Sequence, residues 1–111
     1  MTFDTYKYLA MRSRNTDLSF EMALADGALG LAGESGEVAD IIKKVVSQGH
    51  PLDDEKWGKI KKELGDVLWY IAEVATLLDM SLDEVAQENI DKLLARYPEG
   101  FTTERSLNRV N

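Results

Sequence analysis

Residues 20–48, FEMALADGALGLAGESGEVADIIKKVVSQ, decide the fold. Leu24, Ala28, Leu31, Val38, Ile42 and Val45 recur at helical spacing along this stretch, so it reads as one long amphipathic helix; a strand would show strict alternation. Gly49-His50-Pro51 closes it, supplying a residue suited to the left-handed conformation and a nearby proline. The same periodicity extends in both directions. Downstream, a helix from about Asp53 to Leu78 carries the stripe Ile60, Leu64, Val67, Ile71, Val74 and Leu78, and its acidic opening Asp53-Asp54-Glu55 suits the positive end of a helix dipole. Ser81-Leu82-Asp83-Glu84 has the form of a capping box, opening a helix that ends near Arg96 or Tyr97, before Pro98. Upstream, Phe3 to Arg14 forms a first helix with Thr2 as its cap and Tyr6, Leu9 and Ala10 on one side; the polar stretch Asn15 to Ser19 ends it. The tail, EGFTTERSLNRVN, is a loop or an arm packed on a partner. The expected fold is all-α, an antiparallel bundle of about four helices forming a single domain over residues 1–111. A chain of this length is short for a deep core of its own, so a homo-oligomer is expected.

Composition removes several classes of function. Apolar residues are 44% and charged residues 30% of the chain, a globular balance that excludes disorder. Twenty acids against 13 Lys and Arg give a formal charge of -7, which repels phosphate polymers and argues against a nucleic acid partner. Cysteine is absent, ruling out disulfides, thiolate metal sites and cysteine nucleophiles and agreeing with a reducing compartment. The apolar runs are interrupted by Asp26, Asp66, Glu73 and Asp79, so none spans a membrane. The N-terminal residues show no apolar segment behind a basic start, and the expected location is cytoplasmic.

The chemistry lies in a repeated pattern. Glu34-Ser35-Gly36-Glu37-Val38 and Glu63-Leu64-Gly65-Asp66-Val67 share the order acid, any residue, Gly, acid, Val, once on each central helix. Acids three apart lie on one helix face, so each helix presents a carboxylate pair. Each first acid lies about 60° from the middle of its apolar stripe and each second about 120°. If the helices pack, four carboxylates converge at the margin of the core, where unpaired negative charge is costly without a counter-ion. Oxygen ligands in that number suit Mg²⁺, with Mn²⁺ as a substitute. Gly36 and Gly65 each cost about 1 kcal/mol of helix propensity relative to Ala, and bare backbone there would allow close helix approach or ligand access. A single such acid pair is most often a solvated face; its repetition on consecutive helices is what marks a site.

Residues 31–44, LAGESGEVADIIKK, with 63–75, ELGDVLWYIAEVA, and 88–101, ENIDKLLARYPEGF, resemble the MazG-like branch of the all-α nucleoside triphosphate pyrophosphohydrolases, and YKYLAMRSRN near the N-terminus is similar to that family's opening segment. The family's ExxE and ExxD motifs fall on Glu34, Glu37, Glu63 and Asp66. The resemblance implies a bundle assembled as a dimer or a dimer of dimers, an essential Mg²⁺, and cleavage of a nucleoside triphosphate between its α and β phosphates to a monophosphate and pyrophosphate. It makes the four acids the metal ligands and catalytic residues, with Glu34 or Glu37 helping a water. It also points to Asn89, Lys92 and Arg96, a ladder on one face of the fourth helix, as substrate-binding residues.

Other residues admit two readings. Tyr70, one turn beyond Asp66, either stacks on a base or hydrogen-bonds a phosphate, or belongs to the core or an interface. Trp69 lies opposite the apolar stripe, where an exposed indole suggests an oligomer contact or a base platform. Lys43 and Lys44 either serve a phosphate or pair with Asp40 near a helix C-terminus. His50 reads as a solvated turn residue. The two Glu-x-x-His motifs of ferritin-like di-iron proteins are missing. Two competing functions are a phosphoribosyl-ATP pyrophosphohydrolase, which shares the acid motifs, and a non-catalytic helical dimerisation or regulatory module.

Overall fold

In the computed structural model, which describes residues 1–109, five helices are present: α1 (Phe3–Ala10), α2 (Phe20–Ser47), α3 (Asp54–Leu77), α4 (Leu82–Arg96) and α5 (Thr103–Leu107). Each begins where a side-chain oxygen accepts an otherwise orphaned amide. Thr2 accepts from Thr5, Ser19 from Met22, Asp53 from Lys56, Ser81 from Glu84 and Thr102 from Arg105, each such cap being worth about 1 kcal/mol. Gly49 follows α2 with φ 72, as the Gly-His-Pro sequence predicts. The end of α3 is less conventional: Asp79 takes φ 54, while Met80 N donates to Ala75 O at 2.7 Å and Asp79 N to Thr76 O at 3.2 Å, a Schellman closure built on a non-glycine residue.

The first helix is shorter than its periodicity suggests. It stops at Ala10 and tightens into a 3₁₀ turn over Met11–Ser13, where the Ser13 hydroxyl donates to Ala10 O at 2.8 Å. The tail, read as loop or arm, contains the short α5; its last two positions lie outside the described residues.

α2 and α3 form an antiparallel pair, as the reversed order of facing residues shows: Gly27 meets Glu73 and Val74, Gly30 meets Tyr70, and Glu34 meets Glu63 and Asp66. The close approach occurs at Gly27 and Gly30. A Cβ at Gly30 would collide with the Tyr70 ring, whereas Gly36 and Gly65 face open space. The glycines beside the acids therefore do not set the helix separation.

α1 lies across α3 and the start of α4. Asp4 accepts from the Ser81 hydroxyl at 2.6 Å and from Leu82 N at 2.7 Å, Phe3 N donates to Asp83 at 3.1 Å, and the Lys7 ammonium donates to Met80 O at 2.7 Å. Ser81 accepts from Glu84 N at 3.2 Å, one half of the capping box, while the carboxylate that serves the start of α4 is that of Asp4 from α1. Beneath this clasp sits the core cluster Ala72, Ala75 and Leu82, with Tyr6, Ala10, Met11 and Ile71 packed on it.

That core is small. Among the described residues no large side chain is fully buried, and Leu29, Val46, Trp57, Leu94 and Phe101 are among the large apolar side chains left exposed. The radius of gyration is 17.1 Å, against about 13 Å for a filled domain of this length. α4 projects from its clasp, leaving a cleft of about 540 Å³ between α1, α3 and α4. No helix is long and apolar enough to cross a membrane among the described residues.

Candidate metal and nucleotide site

Where α2 passes α3, Glu34, Glu63 and Asp66 each offer one carboxylate oxygen, all within 4.8 Å of one another. Both helices supply the cluster, because small residues at Gly27 and Gly30 let the backbones approach and bring the next turn of each into register. Glu34 and Glu63 are half-buried while Asp66 is exposed, which places the cluster at the edge of the interface. The expected position beside the core stripe is what the structure shows for these three. Glu37 is exposed and stands outside the group.

The electrostatics are those of gathered negative charge. The Glu34 carboxyl is pushed up to about 7 by a hydrogen bond with Glu63, then by burial, then by the charges of Glu63, Asp66 and Glu37. Glu63 Oε2 is buried with no hydrogen-bond partner. The ion pairs Lys7–Asp4, Lys43–Asp40, Lys44–Asp40 and Lys59–Glu55 all lie elsewhere. Three converging carboxylate oxygens, on residues one of which also has a buried oxygen without a partner, fit a hard divalent cation, which takes oxygen ligands and offsets the repulsion.

Next to the acids, Glu34, Asp66, Trp69 and Tyr70 line a cleft of about 330 Å³. Tyr70 reaches it because Gly30 leaves room for its ring; burial, followed by the charges of Asp26, Glu34, Glu73 and Asp66, raises its phenol. Trp69 corrects an expectation. Its indole is half-buried rather than exposed, and its Nε1 donates to Ala10 O and to the Ser13 hydroxyl, both at 3.0 Å. The early end of α1 brings those acceptors over α3, which helical periodicity on α3 alone does not reveal.

The remaining candidates lie on other elements or at other positions of α2. Asn89 and Lys92 line the larger cleft between α1, α3 and α4, with Phe3, Leu68 and Ile71, and Arg96 is half-buried at the end of α4. Asn89 and Lys92 thus face a cleft other than the one bordered by Glu34 and Asp66. Lys44 and Lys43 approach Asp40 at 2.9 and 3.8 Å, the ion-pair alternative. His50 is exposed in the turn after α2.

Two groups were not marked by the sequence as belonging near the site. Glu73 is 2% exposed, with Oε1 lacking a partner; burial first, and then its contact with Asp26, raises its carboxyl, while Arg14 opposes this. Its sequence signal is an acid inside the apolar run Ile71–Leu78. Tyr6, packed on the Ala72, Ala75 and Leu82 cluster, has its phenol raised by burial and then by the charge of Asp66.

Fold and site together define a class, an all-helical protein with a carboxylate cluster suited to a divalent cation. Residues 25–101 match the sequence profile of the MazG nucleotide pyrophosphohydrolase domain. The chain is also 38% identical over 82 residues to the Gene 37 protein of Mycobacterium phage L5, covering 73% of this chain and 72% of that protein. No solved structure matches. The chain belongs to the MazG family of nucleotide pyrophosphohydrolases, whose members are typically divalent-metal dependent.

Proposed function

We propose that this protein hydrolyses a nucleoside triphosphate, canonical or modified, ribo or deoxy, to a monophosphate and pyrophosphate with Mg²⁺, in house-cleaning or in control of a nucleotide pool. The observation that carries the reading is the approach of Glu34, Glu63 and Asp66, each offering one carboxylate oxygen within 4.8 Å of the others. These three would hold the cation, with Mn²⁺ as a substitute. When bound, Mg²⁺ supplies neutralisation of phosphate oxygens and a water of lowered pKa.

Glu37, one turn along α2 from Glu34 and outside the cluster, remains free to orient the attacking water and take its proton. Oxygen from that water bonds to the α phosphorus, the bond from that phosphorus to the α–β bridging oxygen breaks, and pyrophosphate leaves with the electron pair. Tyr70 borders the same cleft and contacts the substrate.

Asn89, Lys92 and Arg96 are proposed to hold the phosphate tail across a homo-oligomer, dimer or dimer of dimers, since within one chain Asn89 and Lys92 line a different cleft from the acids. The apolar surface that one chain leaves uncovered supports such an assembly.

Glu63→Gln keeps the shape of the side chain and removes its charge. It should lower pyrophosphate release by at least about 100-fold, the scale of a lost transition-state charge interaction, while the assembly stays intact by size-exclusion chromatography. Undiminished release, or orthophosphate as the product, would contradict the assignment.

A further inference from the structure

The carboxylate cluster accounts for the phosphate end of a substrate and leaves its other end unassigned. Trp69 borders the same cleft as Glu34 and Asp66, three residues and about 4.5 Å of helix rise beyond Asp66. A base joined through a sugar to a phosphate at the cluster reaches that distance. The indole is held at its polar edge, because Nε1 donates to both Ala10 O and the Ser13 hydroxyl. Tyr70 meets it edge to face, with centroids 5.0 Å apart and planes at 83°, and Tyr70 is itself confined against Gly30. The cleft therefore combines an acidic end with an aromatic wall whose orientation is fixed at its polar edge and by the Tyr70 ring.

Resting on the nucleotide reading above, we infer that Trp69 is the stacking wall for the substrate's base, and that it recognises a planar base without reading which base it is. The second half follows from the hydrogen bonds. The only polar atom of an indole is Nε1, and here it is committed to α1 and the turn after it. What remains for a ligand is a π surface, which every base can match with its own. Trp69 thus separates nucleotides from base-free polyphosphates and sugar phosphates, and discrimination among bases must come from other groups.

The test separates stacking from the structural tether that the same side chain provides. Trp69→Leu removes both the ring surface and the tether; Trp69→Phe removes the tether and keeps a ring. Stacking predicts that Leu raises KM for all four common triphosphates roughly ten- to a hundredfold with kcat little changed, while Phe stays within about threefold of the parent. KM for a base-free ribose triphosphate should not move in either variant. In Trp57→Phe, which leaves Trp69 as the sole indole, non-hydrolysable α,β-methylene triphosphates of the four bases with Mg²⁺ should quench emission saturably, and inorganic tripolyphosphate should not. Equal KM changes in Leu and Phe, or an unchanged KM in Leu, would overturn the proposal, as would quenching by tripolyphosphate. So would a Kd spread above about a hundredfold among the bases that Trp69→Leu abolishes, since the wall would then be reading identity. A wild-type protein inert toward every triphosphate removes the hydrolase reading instead. Quenching still decides the role of Trp69 in that case.

Discussion

Glu34 shows how a single titration reports on the site. Its carboxyl has a pKa of about 7 against an ordinary 4.5, caused first by the hydrogen bond with Glu63 and next by burial and neighbouring negative charge. An acid that binds its proton more tightly when folded contributes stability that is complete below its unfolded pKa and is lost as pH rises through the folded value. In chelator, the thermal midpoint should therefore fall between about pH 5 and about pH 8 through this group. Added Mg²⁺ should stabilise most at the upper end, where its ligands are already deprotonated. A flat chelated profile in differential scanning calorimetry, or an equal effect of Mg²⁺ at both ends, would count against the cluster as a cation site.

At the scale of elements, the question is what holds α4. Asp4 reaches from α1 to both the Ser81 hydroxyl and the Leu82 amide, so one carboxylate joins the N-termini of two helices. Its pKa is lowered, first by the Ser81 hydrogen bond, with the Leu82 amide also contributing. The stabilisation is present above the unfolded value of 3.8 and is lost as pH falls through the depressed one. Asp4→Ala should loosen α4 selectively. Amide exchange at residues 82–96 should accelerate while α2 and the middle of α3 stay protected; uniform acceleration would show that the clasp is not a separable unit. Much of this level is legible from sequence: the Ser81 cap, the Gly49 stop and the long stripes of α2 and α3 all follow from local chemistry. The early stop of α1 is not, since Tyr6, Leu9 and Ala10 continue a helical pattern while the Ser13 hydroxyl takes the carbonyl of Ala10 and Trp69 turns its Nε1 to the same oxygen. The second of these partners is distant in sequence.

The whole molecule leaves its apolar faces open, with Leu29 73%, Val46 79% and Leu94 59% exposed. The extended shape of 48 × 39 × 27 Å places these faces where a second chain can cover them, and a stable interface of standard size removes about 1,600 Å² from water. Sedimentation velocity at micromolar concentration should show an oligomer, and its thermal midpoint should rise with protein concentration. A folded monomer with a concentration-independent midpoint would overturn the assembly proposed above and with it the supply of Asn89, Lys92 and Arg96 from a second copy.

By itself the sequence determined the long helices α2, α3 and α4, the Ser81 cap and the Gly49 stop, and the two acid pairs with the family resemblance around them. These depend on residues within a few positions of one another, or on rotation about a single helix axis. Tertiary structure alone decided that Glu34, Glu63 and Asp66 meet while Glu37 stands aside, that Trp69 turns its polar edge inward, that Glu73 is buried, and that α4 carries Asn89 and Lys92 to a different cleft. Those outcomes depend on the register and relative rotation of two helices. Here both are set by how closely Gly27 and Gly30 let α3 approach, and no periodicity within one helix encodes that distance.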